Sequence, residues 1–197
     1  TRIASELRRS NLTAEIKAAI NDAVLEASKT RFYFNEVKGL TFATVNGTEY
    51  YSDLNLTEVD AMYYLDGGTR YEICPASNLE LDMITSGTAA QGYPLQFSRH
   101  ASQFRLDPIP NVAITIYVDG YGRLTPTPLV NDADTNAWMT EGERYVRALA
   151  KSVLLKDVIR DFSEAAIYEG IAEDYKLSLE EATSLRLGTG RLQATRF

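Results

Sequence analysis

Few residues in this 197-residue chain combine the types and spacing that chemistry requires. His100, the only histidine, is the one imidazole able to serve a Ser-His-Asp or Cys-His relay. It lies in Ser98-Arg99-His100-Ala101-Ser102 with no nucleophile elbow around it. The expected reading is a surface histidine in a polar turn. Cys74, the only cysteine, cannot form an intrachain disulfide or a thiolate-built metal site, and a free thiol suits a reducing cytoplasm. Beside Pro75 at the end of an apolar strand, it is expected to act as a small buried hydrophobe.

The oxygen ligands Asp132, Asp134 and Asn136, with Glu143 further on, meet the first, third, fifth and twelfth positions of an EF-hand loop. The sixth position, which needs glycine, holds Ala137. Pro126 and Pro128 deny the loop an entering helix, and Glu143 is also placed to form a capping box with Thr140. Turn and cap chemistry is therefore expected, with calcium or magnesium binding at these four residues as the alternative. Scattered Asp and Glu leave room for a carboxylate-pair hydrolase, but nothing selects a pair. Gly188-Thr189-Gly190-Arg191 lacks the lysine, glycine spacing and following helix of a phosphate loop. No catalytic residue, cofactor or metal is assigned.

The elements that would position these residues separate by periodicity. Ile16, Ala19, Ile20, Ala23, Val24 and Ala27 recur at helical spacing over 13–30, with Thr13 as N-cap; the stripe is alanine-rich and must dock on something. From Arg31 to Tyr121 aromatic residues alternate with polar ones, which predicts a strand-rich module. Asn46-Gly47 between Leu40–Val45 and Thr48–Tyr51 predicts a type I′ hairpin, and Asp66-Gly67-Gly68 joins strands over 58–65 and 69–74. A short helix is expected over 78–84, and further strands over 97–98, 103–106 and 111–118. Residues 121–136 read as a connector. Two helices then follow, one from Trp138 through Val153 capped by Thr140 and Glu143, the other from Val158 to near Gly170. A short third helix opens at a Ser178–Glu181 capping box. The fold class is α+β: a helical bundle (1–31 and 136–177), a strand-rich β-sandwich or small barrel-like insertion (32–121), a connector (122–135) and an extended C-terminal arm (178–197).

Composition bounds the function classes. With 45% hydrophobic and 24% charged residues, the chain is expected to fold as an ordinary soluble protein. No apolar run approaches a membrane span, and no apolar signal core opens the sequence, so the Asn-x-Thr triplets at Asn11, Asn46 and Asn55 read as turns and caps. A net charge of -7 opposes general nucleic-acid binding. Yet residues 183–197 hold Arg186, Arg191 and Arg196 and no acid, leaving 17 basic against 27 acidic residues elsewhere. Arginines spaced among Leu185, Leu187, Leu192 and Phe197 have the composition of an arm that orders on a partner.

Several ordered stretches resemble one family. They are Ile16–Ala27 running into Arg31-Phe-Tyr-Phe34; Glu49-Tyr-Tyr51 followed by Leu54; Gly92-Tyr-Pro94 before Phe97; Phe104-Arg-Leu-Asp-Pro-Ile-Pro110 before Ile114–Val118; and the Trp138 helix with its partner through Ala166. Their order over residues 13–172 is similar to the head-to-tail adaptor (connector, or head completion) proteins of tailed bacteriophages. The resemblance implies a virion protein made in the host cytoplasm and not an enzyme. It implies a ring, usually twelve-fold, between the portal protein and a downstream tail or nozzle protein, with DNA only passing through the lumen and no membrane involved. It also implies a carboxyl terminus that reaches the portal, which makes Leu185, Arg186, Leu187, Arg191, Leu192, Arg196 and Phe197 the candidate contact residues. The competing readings are another virion component, such as a tail-fibre or receptor-binding module, and a hydrolase.

Overall fold

The computed structural model describes residues 2–8, 11–84, 90–124, 128–131 and 133–188. The chain divides into two compact units: a helical one made of 1–35 and 123–197, and a sheet unit formed by 36–122. The fold is mixed α+β, as the periodicities predict.

In the helical unit, α1 (Arg2–Glu6) and α2 (Thr13–Ala27) are followed after the insertion by α4 (Ala137–Thr140), α5 (Glu143–Leu154), a π-helical turn (Leu155–Ile159) and α6 (Phe162–Leu187). The alanine stripe of α2 docks as expected: Ile16, Ala19, Ala23, Val24 and Ala27 are buried. Its start differs from the sequence reading, because Thr13 is the first helical residue and Leu12 holds the cap position without a side-chain hydrogen bond. Helix α5 packs against both α2 and α6 and is buried around most of its circumference, Lys151 and Ser152 included. The apolar residues expected to open the strand module, Phe32 to Phe34, belong here instead. Phe32 is wholly buried against Trp138 and Tyr145, and Phe34 meets the Trp138 ring edge-on at 4.9 Å.

The helix ends beyond Trp138 also differ. Asn136, not Thr140, caps the Trp138 turn, accepting the Trp138 N–H at 3.0 Å. The Thr140 hydroxyl donates to Ala137 O at 3.3 Å, so no capping box forms with Glu143. The break expected near Gly170 is absent. Asp161 starts α6 by accepting the Glu164 N–H at 3.0 Å, and the helix runs unbroken through Gly170 and Ser178 to Leu187. One glycine costs only about 1 kcal/mol of helix propensity, too little to stop a helix whose next turns bury Ala172 and Thr183 and half-bury Tyr175 and Leu179. Of the face expected from Val158, Ile159, Phe162, Ala165, Ala166 and Ile171, Ala165 is buried, whereas Val158, Phe162 and Ile171 are exposed.

The sheet unit holds β1 (Glu36–Ala43), β2 (Tyr50–Ser52), β3 (Leu56–Asp66), β4 (Thr69–Glu72), β5 (Cys74–Pro75), α3 (Asn78–Ile84), β6 (Gln91–Gly92), β7 (Gln96–His100), β8 (Gln103–Asp107), β9 (Ile109–Pro110) and β10 (Thr115–Gly122). One sheet has the order β1-β10-β3-β4, a second β2-β8-β7-β5, and β6 pairs with β9. Neither four-stranded sheet closes into a barrel. Met62, Tyr64, Ile116 and Val118 of the first share a core with Tyr51, Phe97, Phe104 and Leu106 of the second, the sandwich alternative of the sequence reading.

The Asn46-Gly47 hairpin does not form. Its two flanks join different sheets, β1 pairing with β10 and β2 with β8. The turn carries the chain across, closed by the Tyr51 hydroxyl, which accepts the Val45 N–H at 3.0 Å and donates to Thr48 O at 2.8 Å. Non-local pairing outweighs the local turn preference here. The two-residue hairpin is instead at Gly67-Gly68, between paired Asp66 and Thr69, where φ values of 55° and 84° meet the type I′ requirement. Cys74 is exposed rather than core; the preceding residue, Ile73, takes the buried position.

Candidate functional site

The candidate contact residues begin on the last turn of α6. Leu185 is 78% exposed, and Leu187 is the final helical residue. Arg191, Leu192, Arg196 and Phe197 lie outside the described residues. Residues 178–187, expected as a short separate helix at the root of the arm, are the continuous end of α6, and that helix is fastened to the body at its end.

Two contacts fasten it to Tyr33, and a third holds Tyr33 itself. The Thr183 hydroxyl accepts the Tyr33 N–H at 3.2 Å and donates to Leu179 O at 2.7 Å. The Arg186 guanidinium stacks 3.7 Å from the Tyr33 ring centre. The Tyr33 hydroxyl donates to Glu141 Oε2 at 2.6 Å. That hydrogen bond to Glu141 is the main cause raising the Tyr33 phenol above its ordinary pKa, with burial adding to it and the Arg186 charge opposing it. Arg186 therefore has a role on its own chain, and Leu185 remains as an exposed apolar anchor. Beside this point Thr140, Glu141, Glu143, Arg144, Tyr145, Tyr175, Ser178 and Leu179 line an open polar cleft of about 250 Å³.

Tyr33, Glu141 and Thr183 were not legible as a group. They are separated by up to 150 positions, and a threonine inside a helix carries no capping or turn signal. The nearest hint is that Tyr33 falls in the Phe-Tyr-Phe stretch that carries the family resemblance.

The cation candidates separate. Asp134 accepts the backbone N–H groups of Asn131 and Val130 at 2.7 and 2.8 Å, which hold its carboxyl below the ordinary carboxylate range. Asn136 caps Trp138, and Glu143 accepts from Arg147 at 2.9 Å. Asp132 lies outside the described residues, among which no cluster of three or more metal-ligating side chains occurs. His100 sits exposed at the end of β7, opposite Gln103 in a tight hairpin. Elsewhere a buried cation, Lys151, bonds the Glu6 carboxylate and lies 4.5 Å from the Tyr168 ring centre, which ties α1 and α6 to α5. In the sheet unit Arg105 is 9% exposed and held by Glu49 and Asp82. These groups are satisfied ion pairs of the body, a structural use of charge.

No described helix is long and apolar enough to cross a membrane. No curated protein matches the chain. The model of the SU10 adaptor protein family matches residues 1–195, which spans both units and the arginine-bearing end. The chain belongs to the SU10 adaptor protein family, a family of structural phage adaptors.

Proposed function

We propose that the protein is a subunit of a ring between the phage portal and the tail, twelve copies in the pattern the family resemblance implies, whose lumen continues the DNA channel. It meets the portal above and a tail or nozzle protein below, and DNA passes without being gripped. The observation that carries this reading is the family match over residues 1–195, joined to a charge division that suits it. An acidic body repels DNA from the lumen wall, and a basic segment with apolar anchors suits a different surface. The portal-contacting residues are Leu185, Leu187, Arg191, Leu192, Arg196 and Phe197. Arg186 contributes by fixing where the segment leaves the body, through its stack on Tyr33.

The experiment is electron microscopy of the chain mixed with portal, with and without residues 189–197. The cut falls after Gly188, so that Leu179 and Thr183 stay in the helical unit. Docked rings are expected with the full chain and none with the truncated one. Docking that survives the truncation removes the arm assignment, and absence of rings with the full chain removes the ring.

A further inference from the structure

Helix α6 carries an exposed row opposite the face it buries. Ile167, Gly170, Ile171, Asp174, Leu177 and Glu181 are all exposed, and at about 100° per residue they share a sector roughly 120° wide. Ile167 is 62% exposed and Leu177 54%. Gly170 has no atom of the described residues within 4 Å of where a Cβ would stand, so no contact among them explains a glycine at mid-helix. A bare backbone of this kind lets another chain come close. Asp174 and Glu181 form no ion pair among the described residues, whereas Glu169 and Glu173 pair with Lys156 and Lys176. Two copies of the row laid face to face would gather their acids with no base between them, which opposes an isologous pair.

The same helical unit presents a second, different surface of matching character. Two open hollows adjoin across Ile20 of α2 and Met139 of α4. One, of about 140 Å³, is walled by Ile3 and Val146; the other, of about 230 Å³, by Leu129 and Val130. Each is smaller than the roughly 300 Å³ at which small-molecule pockets begin, and takes single side chains of a packing helix. The outer wall is pinned to α2: the Asn21 side chain accepts the Leu129 N–H at 2.8 Å and donates to Leu129 O at 3.1 Å. Arg2, Lys17 and Arg147 stand around the hollows against Glu143 and Asp134, an excess of positive charge. Helix α5 packs against both α2 and α6, so the acidic row and the basic-rimmed hollows lie on separate helices of one unit.

We infer that the Ile167–Glu181 row of one subunit seats in the Ile20–Met139 hollows of the next copy, and that this heterologous contact joins neighbouring subunits. It rests on the ring reading above and names the two faces that close the ring, since a ring needs two different patches on each subunit. Ile167, Ile171 and Leu177 fill the hollows, Asp174 and Glu181 meet the basic rim, and Gly170 lets the helix lie close against its neighbour.

The test is cross-linking of the full chain with the exposed Cys74 replaced by serine. Two single-cysteine variants of it are made, Leu177→Cys on the row and Val130→Cys at the hollows, both well exposed in the subunit. Each is treated with a short bismaleimide, alone and mixed with the other, with and without portal. A cross-linked dimer is expected from the mixture and none from either variant alone. Gly170→Leu added to both should abolish that dimer without lowering the urea midpoint, because leucine favours helix over glycine. A dimer from Leu177→Cys alone gives the row to an isologous pair and overturns the inference, as does a mixture that yields no dimer. A cross-link that survives Gly170→Leu also overturns it. Electron microscopy of the Cys74→Ser chain with portal reads the ring separately. Rings without the mixed cross-link overturn this pairing and leave the ring standing, whereas the mixed cross-link without rings supports the pairing and removes the ring.

Discussion

The guanidinium of Arg186 lies 3.7 Å from the centre of the Tyr33 ring, and one helical turn earlier the Thr183 hydroxyl accepts the Tyr33 N–H. A residue entering the insertion and the end of the last helix thus share one anchor. Thr183→Val keeps the shape but strands the half-buried Tyr33 N–H, which costs about 1–3 kcal/mol, and Thr183→Ser restores the bond. Hydrogen exchange is the direct readout: amides of 180–187 should exchange faster in Thr183→Val and return to wild-type rates in the serine variant. Unchanged exchange in Thr183→Val refutes the anchor.

Gly170→Ala should stabilise the chain by about 1 kcal/mol, because alanine is the better helix former and its methyl meets no atom of the described residues. A rise in the urea midpoint with an unchanged denaturant slope is the expected result. A fall would mean that the backbone at Gly170 is not regular helix.

The aromatic cluster under the Trp138 turn sets the stability of the helical unit. Trp138 is fully buried against Phe32 and Phe34, and its indole N–H has no hydrogen-bond partner among the described residues. Trp138→Ala should therefore cost about 3–5 kcal/mol by leaving a cavity. Trp138→Phe should cost far less, since no hydrogen bond is forfeited. Urea denaturation of the two variants measures the difference, and equal losses would refute the cavity account.

Two carboxyls respond to pH in opposite directions. The hydrogen bond from Lys151 lowers the Glu6 pKa, with the Lys151, Arg147 and Arg2 charges adding to it and burial opposing. Its stabilisation is present above the ordinary value of 4.5 and is lost as pH falls through the lowered value. Burial raises the Asp107 pKa, against the attraction of Arg105. Its stabilisation is present below the ordinary value of 3.8 and is lost as pH rises through the raised value. Acidification should accelerate amide exchange in α1, and Lys151→Met should abolish that response. Asp107→Asn should flatten the pH dependence of the sheet unit across the same range. A pH response of α1 that survives in Lys151→Met would exclude this ion pair as its source.

What could be read from the sequence followed the range of the forces involved. Period-2 and period-3.6 patterns predict β3, β8, α2 and α3 closely, because each pattern reports one face meeting one core. The Gly67-Gly68 hairpin was legible because a two-residue turn fixes its own register. Asn46-Gly47 has the same local signal, yet there the pairing of β1 with β10 and of β2 with β8 decides where the chain goes. The end of α6 was misread for a related reason. Gly170 and the Ser178–Glu181 pair look like stop and start signals, whereas Ala172, Leu179 and Thr183 continue a buried face across them. The anchor at Tyr33 joins residues far apart in sequence and left no periodic trace.

The sheet unit begins and ends on paired neighbours, since Glu36 of β1 lies opposite Tyr121 of β10. The chain therefore leaves the helices and returns to them across a gap of about 5 Å, one strand spacing. Such an insertion behaves like a cassette. A few glycines and serines between Asn35 and Arg123 could replace it, or a sheet module from another chain with the same paired ends could be grafted there. Exchanging the sheet unit in this way would leave the helical frame untouched.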